Sequence, residues 1–120
     1  MPPQKFSEIN NSADLFKKLA ENPGLVIVKF GATWCGPCKK IQPIVTSRIE
    51  EFPENVQYYD IDIDEHIEVY GFLRTKKMVN GVPAILCWVK GNQNYIPDCV
   101  VIGGNESEVN KFFDLCKSKL

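Results

Sequence analysis

Leu25-Val26-Ile27-Val28-Lys29-Phe30-Gly31-Ala32-Thr33-Trp34-Cys35-Gly36-Pro37-Cys38 holds a strand, a turn and a helix start in one stretch. Residues 25–30 form an almost unbroken, β-branched apolar run, which suits a central strand buried on both faces. The two cysteines follow directly, two residues apart. Pro37 presets a helical φ and needs no donor in a first helical turn. A helix opening here gives its first cysteine unpaired N–H groups and the positive end of the helix dipole, both of which favour a thiolate. The thiolate is the form that attacks a disulfide. Two intervening residues also let the second sulfur reach the first across one turn.

Working outward, Phe6 to Ile9 predicts a short first strand. Asn11 or Ser12 caps a helix built on Leu15, Phe16 and Leu19, which stops before Asn22-Pro23-Gly24. The helix from Cys35 runs to about Glu51 on Ile41, Ile44, Val45, Arg48 and Ile49, with a kink expected at Pro43. Val56 to Ile63 reads as a strand ending in an acidic turn, and His66 to about Arg74 as a helix. Ala84–Val89 and Tyr95–Ile102 flank Gly91-Asn92 as a hairpin. Val109, Phe112, Phe113 and Cys116 stripe a last helix, capped by Asn105 or Ser107. Strands alternating with helices predict an α/β fold: five strands in a mixed sheet, the first ones parallel, closed by an antiparallel hairpin and flanked by four helices.

The 120 residues are 44% apolar and 24% charged, which suits a single domain over residues 1–120 with its own core. A formal net charge of -1 with no long charge run argues against nucleic acid or an acidic membrane surface as a partner. No apolar stretch, Leu25–Val28 included, is long enough to cross a bilayer. Met1-Pro2-Pro3-Gln4-Lys5 lacks the apolar segment of a secretory signal, so a cytoplasmic location is expected. Five cysteines with one close pair do not resemble a secreted disulfide framework. A structural zinc would need two more ligands, usually a second close pair. His66 is the single histidine, and no second close cysteine pair exists, so no metal is expected.

Trp34-Cys35-Gly36-Pro37-Cys38-Lys39 resembles the active-site motif of the thioredoxin family. The match extends over nearly the whole chain. Pro43 matches the family's helix-kinking proline, and Phe30 the phenylalanine packed under the active-site loop. Val82-Pro83 matches the dipeptide whose cis proline faces the site, and Gly103 a glycine of the substrate groove.

The resemblance implies a thioredoxin fold and a protein-disulfide reductase that takes part in electron transport and cell redox homeostasis. Cys35 would attack a substrate disulfide and Cys38 would resolve the mixed disulfide. Trp34, Gly36, Pro37, Val82, Pro83 and Gly103 would form the substrate surface. Disulfide-containing proteins would be the substrates and a monomer the working unit. No cofactor would be bound, because the chain carries no nucleotide fingerprint. Electrons would come from NADPH through a thioredoxin reductase. An oxidase or isomerase tends to carry histidine where Pro37 stands, and a redox-dead binding module usually loses a cysteine.

The chain departs from the family pattern in several places. Lys29 stands where a buried aspartate is frequent, and Asp60 where a lysine is frequent, a swap of charge beneath Cys38. Lys29 either snorkels to the surface or pairs with Asp60 as part of the catalytic site. Gly31 replaces a bulky aromatic and Ala84 a threonine. A segment holding Arg74, Lys76, Lys77 and Met78 is longer than usual, either as a tolerated insertion or as a basic recognition loop. Cys87 reads as a core thiol, while Cys99 and Cys116 are open to a regulatory or intermolecular disulfide.

Overall fold

The computed structural model describes residues 4–6 and 9–120. In chain order the elements are β1 (Gln4–Phe6), α1 (Ser12–Ala20), β2 (Leu25–Gly31), α2 (Gly36–Ile49), β3 (Val56–Asp62), α3 (Ile67–Thr75), β4 (Ala84–Val89), β5 (Cys99–Ile102) and α4 (Glu106–Ser118). The sheet order is β1-β3-β2-β4-β5, so the apolar run forms the middle strand and every residue of it is buried. β1, β3 and β2 run parallel, and β4 and β5 are antiparallel.

Alternation along β2 feeds two cores. Leu25 and Ile27 pack with Ile41, Val45, Val109 and Phe113 on the α2/α4 side. Val26, Val28 and Phe30 pack with Leu15, Leu19, Val69 and Leu73 on the α1/α3 side. The same alternation turns Lys29 toward α2, where its ammonium meets the Gln42 side chain.

Helix starts follow the capping chemistry. Asn11 caps α1 by accepting from Asp14 N–H, and Asn105 caps α4 by accepting from Glu108 N–H. α2 begins one residue later than expected because Cys35 is its cap, and it continues through Pro43. His66 stands at the cap position of α3 without a side-chain capping bond.

Three boundaries differ from expectation. The first strand is Gln4–Phe6, not Phe6–Ile9, and Ser7 and Glu8 lie outside the described residues. β3 stops at Asp62, whose carboxylate accepts from Asp64 N–H and starts the acidic turn. β5 begins at Cys99, not Tyr95. Here Asn92 and Asp98 outcompete the ladder: Asp98 accepts from Val89 N–H, and Asn92 donates to Asp98 and to the Ile96 carbonyl. Pro97 has no N–H to give a neighbouring strand.

The basic segment 74–78 is an ordered helix end. Lys77 takes φ 64°, Lys77 N–H donates to the Arg74 carbonyl and Met78 N–H to the Leu73 carbonyl, which together make a Schellman cap. The Lys76 ammonium sits over the rings of Tyr95 and Phe72, at 5.4 and 5.9 Å.

Candidate active site

The strand-to-helix turn after β2 places Cys35 and Cys38 at the N-terminus of α2, joined as a disulfide with Cα atoms 5.3 Å apart. Cys38 N–H donates to Cys35 Sγ at 3.2 Å, so a free first-turn amide points at the first sulfur. Both cysteines are nearly covered in this form, 4% and 5% exposed. Their asymmetry therefore lies in the helix cap, not in exposure.

The residues expected to form the substrate surface are placed as follows. Trp34 is 65% exposed, and its indole N–H donates to Asp64 in the acidic turn after β3, at 2.8 Å. Gly36 and Pro37 are exposed. Val82–Pro83 is a cis peptide, with Pro83 buried. Gly103 donates its N–H to the Pro83 carbonyl at 2.8 Å and takes φ +102°, a region that favours glycine.

Gly104 adds a feature that sequence reasoning missed. A Cβ there would lie 2.8 Å from Pro37 Cβ and 3.3 Å from Pro37 Cα, so only glycine lets the β5–α4 turn approach the active-site loop. The doubled glycine at 103–104 was the available signal.

Beneath Cys38, Lys29 and Asp60 are direct partners in the β2–β3 register, and their charged groups lie 3.8 Å apart. Lys29 is 4% exposed and does not snorkel to the surface. Its ammonium donates to Gln42 Oε1 at 2.7 Å, and Gln42 donates onward to Thr46 Oγ1. Gln42 also escaped the sequence reading, although it stands one turn after Cys38 on the same helix face. Gly31 leaves the space that Lys29 and Cys38 share: a Cβ there would lie 3.5 Å from Cys38 Sγ and 3.6 Å from Lys29 Nζ. Two atoms at those distances from one point are at most 7.1 Å apart. Tyr58 points its hydroxyl at Asp60, at 3.4 Å, and burial together with that carboxylate pushes the phenol well above its usual range. An open cleft of about 490 Å³, lined by Lys29, Gly31, Cys38, Gln42 and Asp60 among others, leads to this group from solvent.

A redox-closed cysteine pair on a helix N-terminus at the end of a central strand fits a thiol–disulfide oxidoreductase. The thioredoxin family model matches residues 7–113, and the chain belongs to that family. It is 31% identical over 100 residues to Thioredoxin-1 of Saccharomyces cerevisiae, covering 83% of this chain and 88% of that one. It is 48% identical over 69 residues to Thioredoxin Asp f 29 of Aspergillus fumigatus, 55% of this chain and 62% of that one. Among solved structures, a Fasciola hepatica thioredoxin superposes with a TM-score of 0.70 at 28% identity, over 92% of this chain and 98% of that one. The chain is therefore a protein-disulfide oxidoreductase of the thioredoxin type, acting on disulfide-containing substrates. No described helix is long and apolar enough to cross a membrane.

Proposed function

We propose that the chain works as one monomeric domain in the cytoplasm, reducing protein disulfides with Cys35 as nucleophile and Cys38 as resolving thiol. The Cys35 thiolate attacks one sulfur of a substrate disulfide and displaces the other as a thiolate. The Cys38 thiolate then attacks Cys35 Sγ and releases the second substrate sulfur. Two electrons pass to the substrate, two protons follow them, and the chain is left with its Cys35–Cys38 bridge. NADPH, acting through a thioredoxin reductase, restores the dithiol. Trp34, Gly36, Pro37, Val82, Pro83 and Gly103 receive the substrate peptide around the sulfurs.

Lys29 and Asp60 serve the second step. Asp60 and Gln42 both favour the ammonium form of Lys29, and an ammonium beneath Cys38 stabilises its thiolate. That field is opposite in sign to the one a buried carboxylate sets up.

The observation that carries this reading is the closed Cys35–Cys38 bridge at the start of α2. Insulin turbidity with dithiothreitol, and NADPH oxidation coupled through an added thioredoxin reductase, test it together. Catalysed precipitation and coupled NADPH loss are expected, both absent from a Cys35→Ser variant. Precipitation at the uncatalysed rate with wild-type protein would overturn the reductase reading. Catalysed precipitation without NADPH loss would overturn the electron source alone.

A further inference from the structure

Cys87 of β4, Cys99 of β5 and Cys116 of α4 converge from three elements into the core on the α2/α4 side of the sheet, away from the active site. All three are buried in the same core cluster. They do not make a metal-holding arrangement. Cys87 and Cys99 are direct partners in the β4–β5 register. Residues directly opposite in an antiparallel pair have Cα atoms roughly 4.5–5.5 Å apart and project to the same face. A disulfide needs roughly 4.4–6.8 Å, and the active-site bridge spans 5.3 Å. The backbone is thus already in place for a cross-strand bridge.

Access to the group is one-sided. Cys99 is 5% exposed, whereas Cys87 and Cys116 are fully buried. Cys99 opens β5, a four-residue strand at the edge of the sheet, paired on one side only. Edge strands and their first residues open more readily than central ones.

We propose that Cys87 and Cys99 are a second redox site, a latent dithiol that closes by exchange with a low-molecular-weight disulfide entering at Cys99. The Cys99 thiolate attacks the small disulfide, forms a mixed disulfide and expels one small thiolate. Cys87 then attacks Cys99 Sγ, forms the Cys87–Cys99 bond and expels the second. The two thiol protons pass to the two small thiolates, so the protein is oxidised by two electrons and the small disulfide reduced by two.

Closure is slow in the native state. Burial and the neighbouring thiols hold the Cys87 and Cys99 thiols well above their usual range, so little thiolate forms until β5 opens. The bond would tie β5 to β4 just upstream of Gly103, on the strand that leads into the proposed substrate groove.

The test uses a Cys35→Ser/Cys38→Ser protein, so that only these three thiols can react. It is incubated with oxidised glutathione under native conditions, blocked with iodoacetamide after unfolding, digested and mapped by mass spectrometry. Loss of two of the three thiols, with peptides joined through Cys87 and Cys99 and released by dithiothreitol, is the expected result. Adding Cys99→Ala should remove the cross-link, and that variant keeps an apolar atom in the strand. Three thiols still open to alkylation would overturn the proposal. So would glutathione remaining on Cys99 alone, or thiol loss unchanged by Cys99→Ala.

Discussion

Cys35 and Cys38 meet at the end of the sheet, on a helix N-terminus, whereas Cys87, Cys99 and Cys116 meet between the sheet and α4, on no helix start. Both groups are nearly hidden from solvent, with Cys35 at 4% and Cys99 at 5% exposure, so exposure does not separate them. What separates them is the field. Cys35 Sγ receives an amide N–H, and the Lys29–Asp60 pair lies on the Cys38 side of the bridge. The buried group has apolar walls and other thiols, which favour the protonated form. On the proposed mechanism the backbone and one buried ion pair, not accessibility, set thiol reactivity.

The largest consequence is one of pH. Cys87 and Cys99 are raised in the folded protein, while in the unfolded chain a thiol ionises near about 8.5. Their contribution to stability is therefore complete below about pH 8.5 and lost as pH rises above it, because only the unfolded chain then gives up protons. The slope is on the order of 1.4 kcal/mol per pH unit for each thiol that stays protonated in the fold. Urea denaturation of the Cys35→Ser/Cys38→Ser protein at pH 7.5 and 9.5 should show this fall, and Cys99→Ala should reduce it to the share that Cys87 contributes. A stability that is level between those two pH values would erase the contrast between the two thiol groups.

On the active-site side, Lys29→Met removes the ammonium beneath Cys38 and leaves a side chain of similar length. The variant should resolve mixed disulfides about tenfold more slowly at pH 7, the size of a 1.4 kcal/mol loss of thiolate stabilisation. The deficit should shrink as pH rises, because the thiol then ionises unaided. Stopped-flow release of a chromogenic disulfide across pH reads this directly. An unchanged rate at pH 7 would remove Lys29 from the site.

The smallest effect tests whether the basic segment beside α3 is a structural cap. Lys77 holds φ 64° at the left-handed position of the Schellman motif, where a side chain is strained. Lys77→Gly should stabilise the protein by about 0.5–1 kcal/mol without altering disulfide reduction. A loss of reductase activity in that variant would instead give Lys77 a role in recognition.

Much of this was legible in the sequence for identifiable reasons. Residues 25–38 combine apolar periodicity, a helix-start proline and a cysteine pair, three local signals that agree, and β2, α2 and the disulfide followed. Asp60 was legible as the partner of Lys29 only through the resemblance to the family pattern, and the β2–β3 register sets the two side by side. Gln42 and Gly104 were not, since a glutamine on a helix and a glycine in a turn are ordinary until tertiary packing sets Lys29 and Pro37 beside them. The late start of β5 escaped for a similar reason: Asn92 and Asp98 act through side-chain bonds that alternation does not register. The meeting of Cys87, Cys99 and Cys116 depends on the docking of α4 and was beyond any local pattern.

The assignment of Cys35 as nucleophile and Cys38 as resolving thiol is tested most directly by trapping. Cys38→Ser and Cys35→Ser proteins, each reduced and then mixed with a disulfide-bonded substrate such as insulin, are run on non-reducing gels. The account predicts a stable mixed disulfide with Cys38→Ser, dissolved by dithiothreitol, and none with Cys35→Ser. Equal trapping by the two variants, or trapping by Cys35→Ser alone, would contradict it.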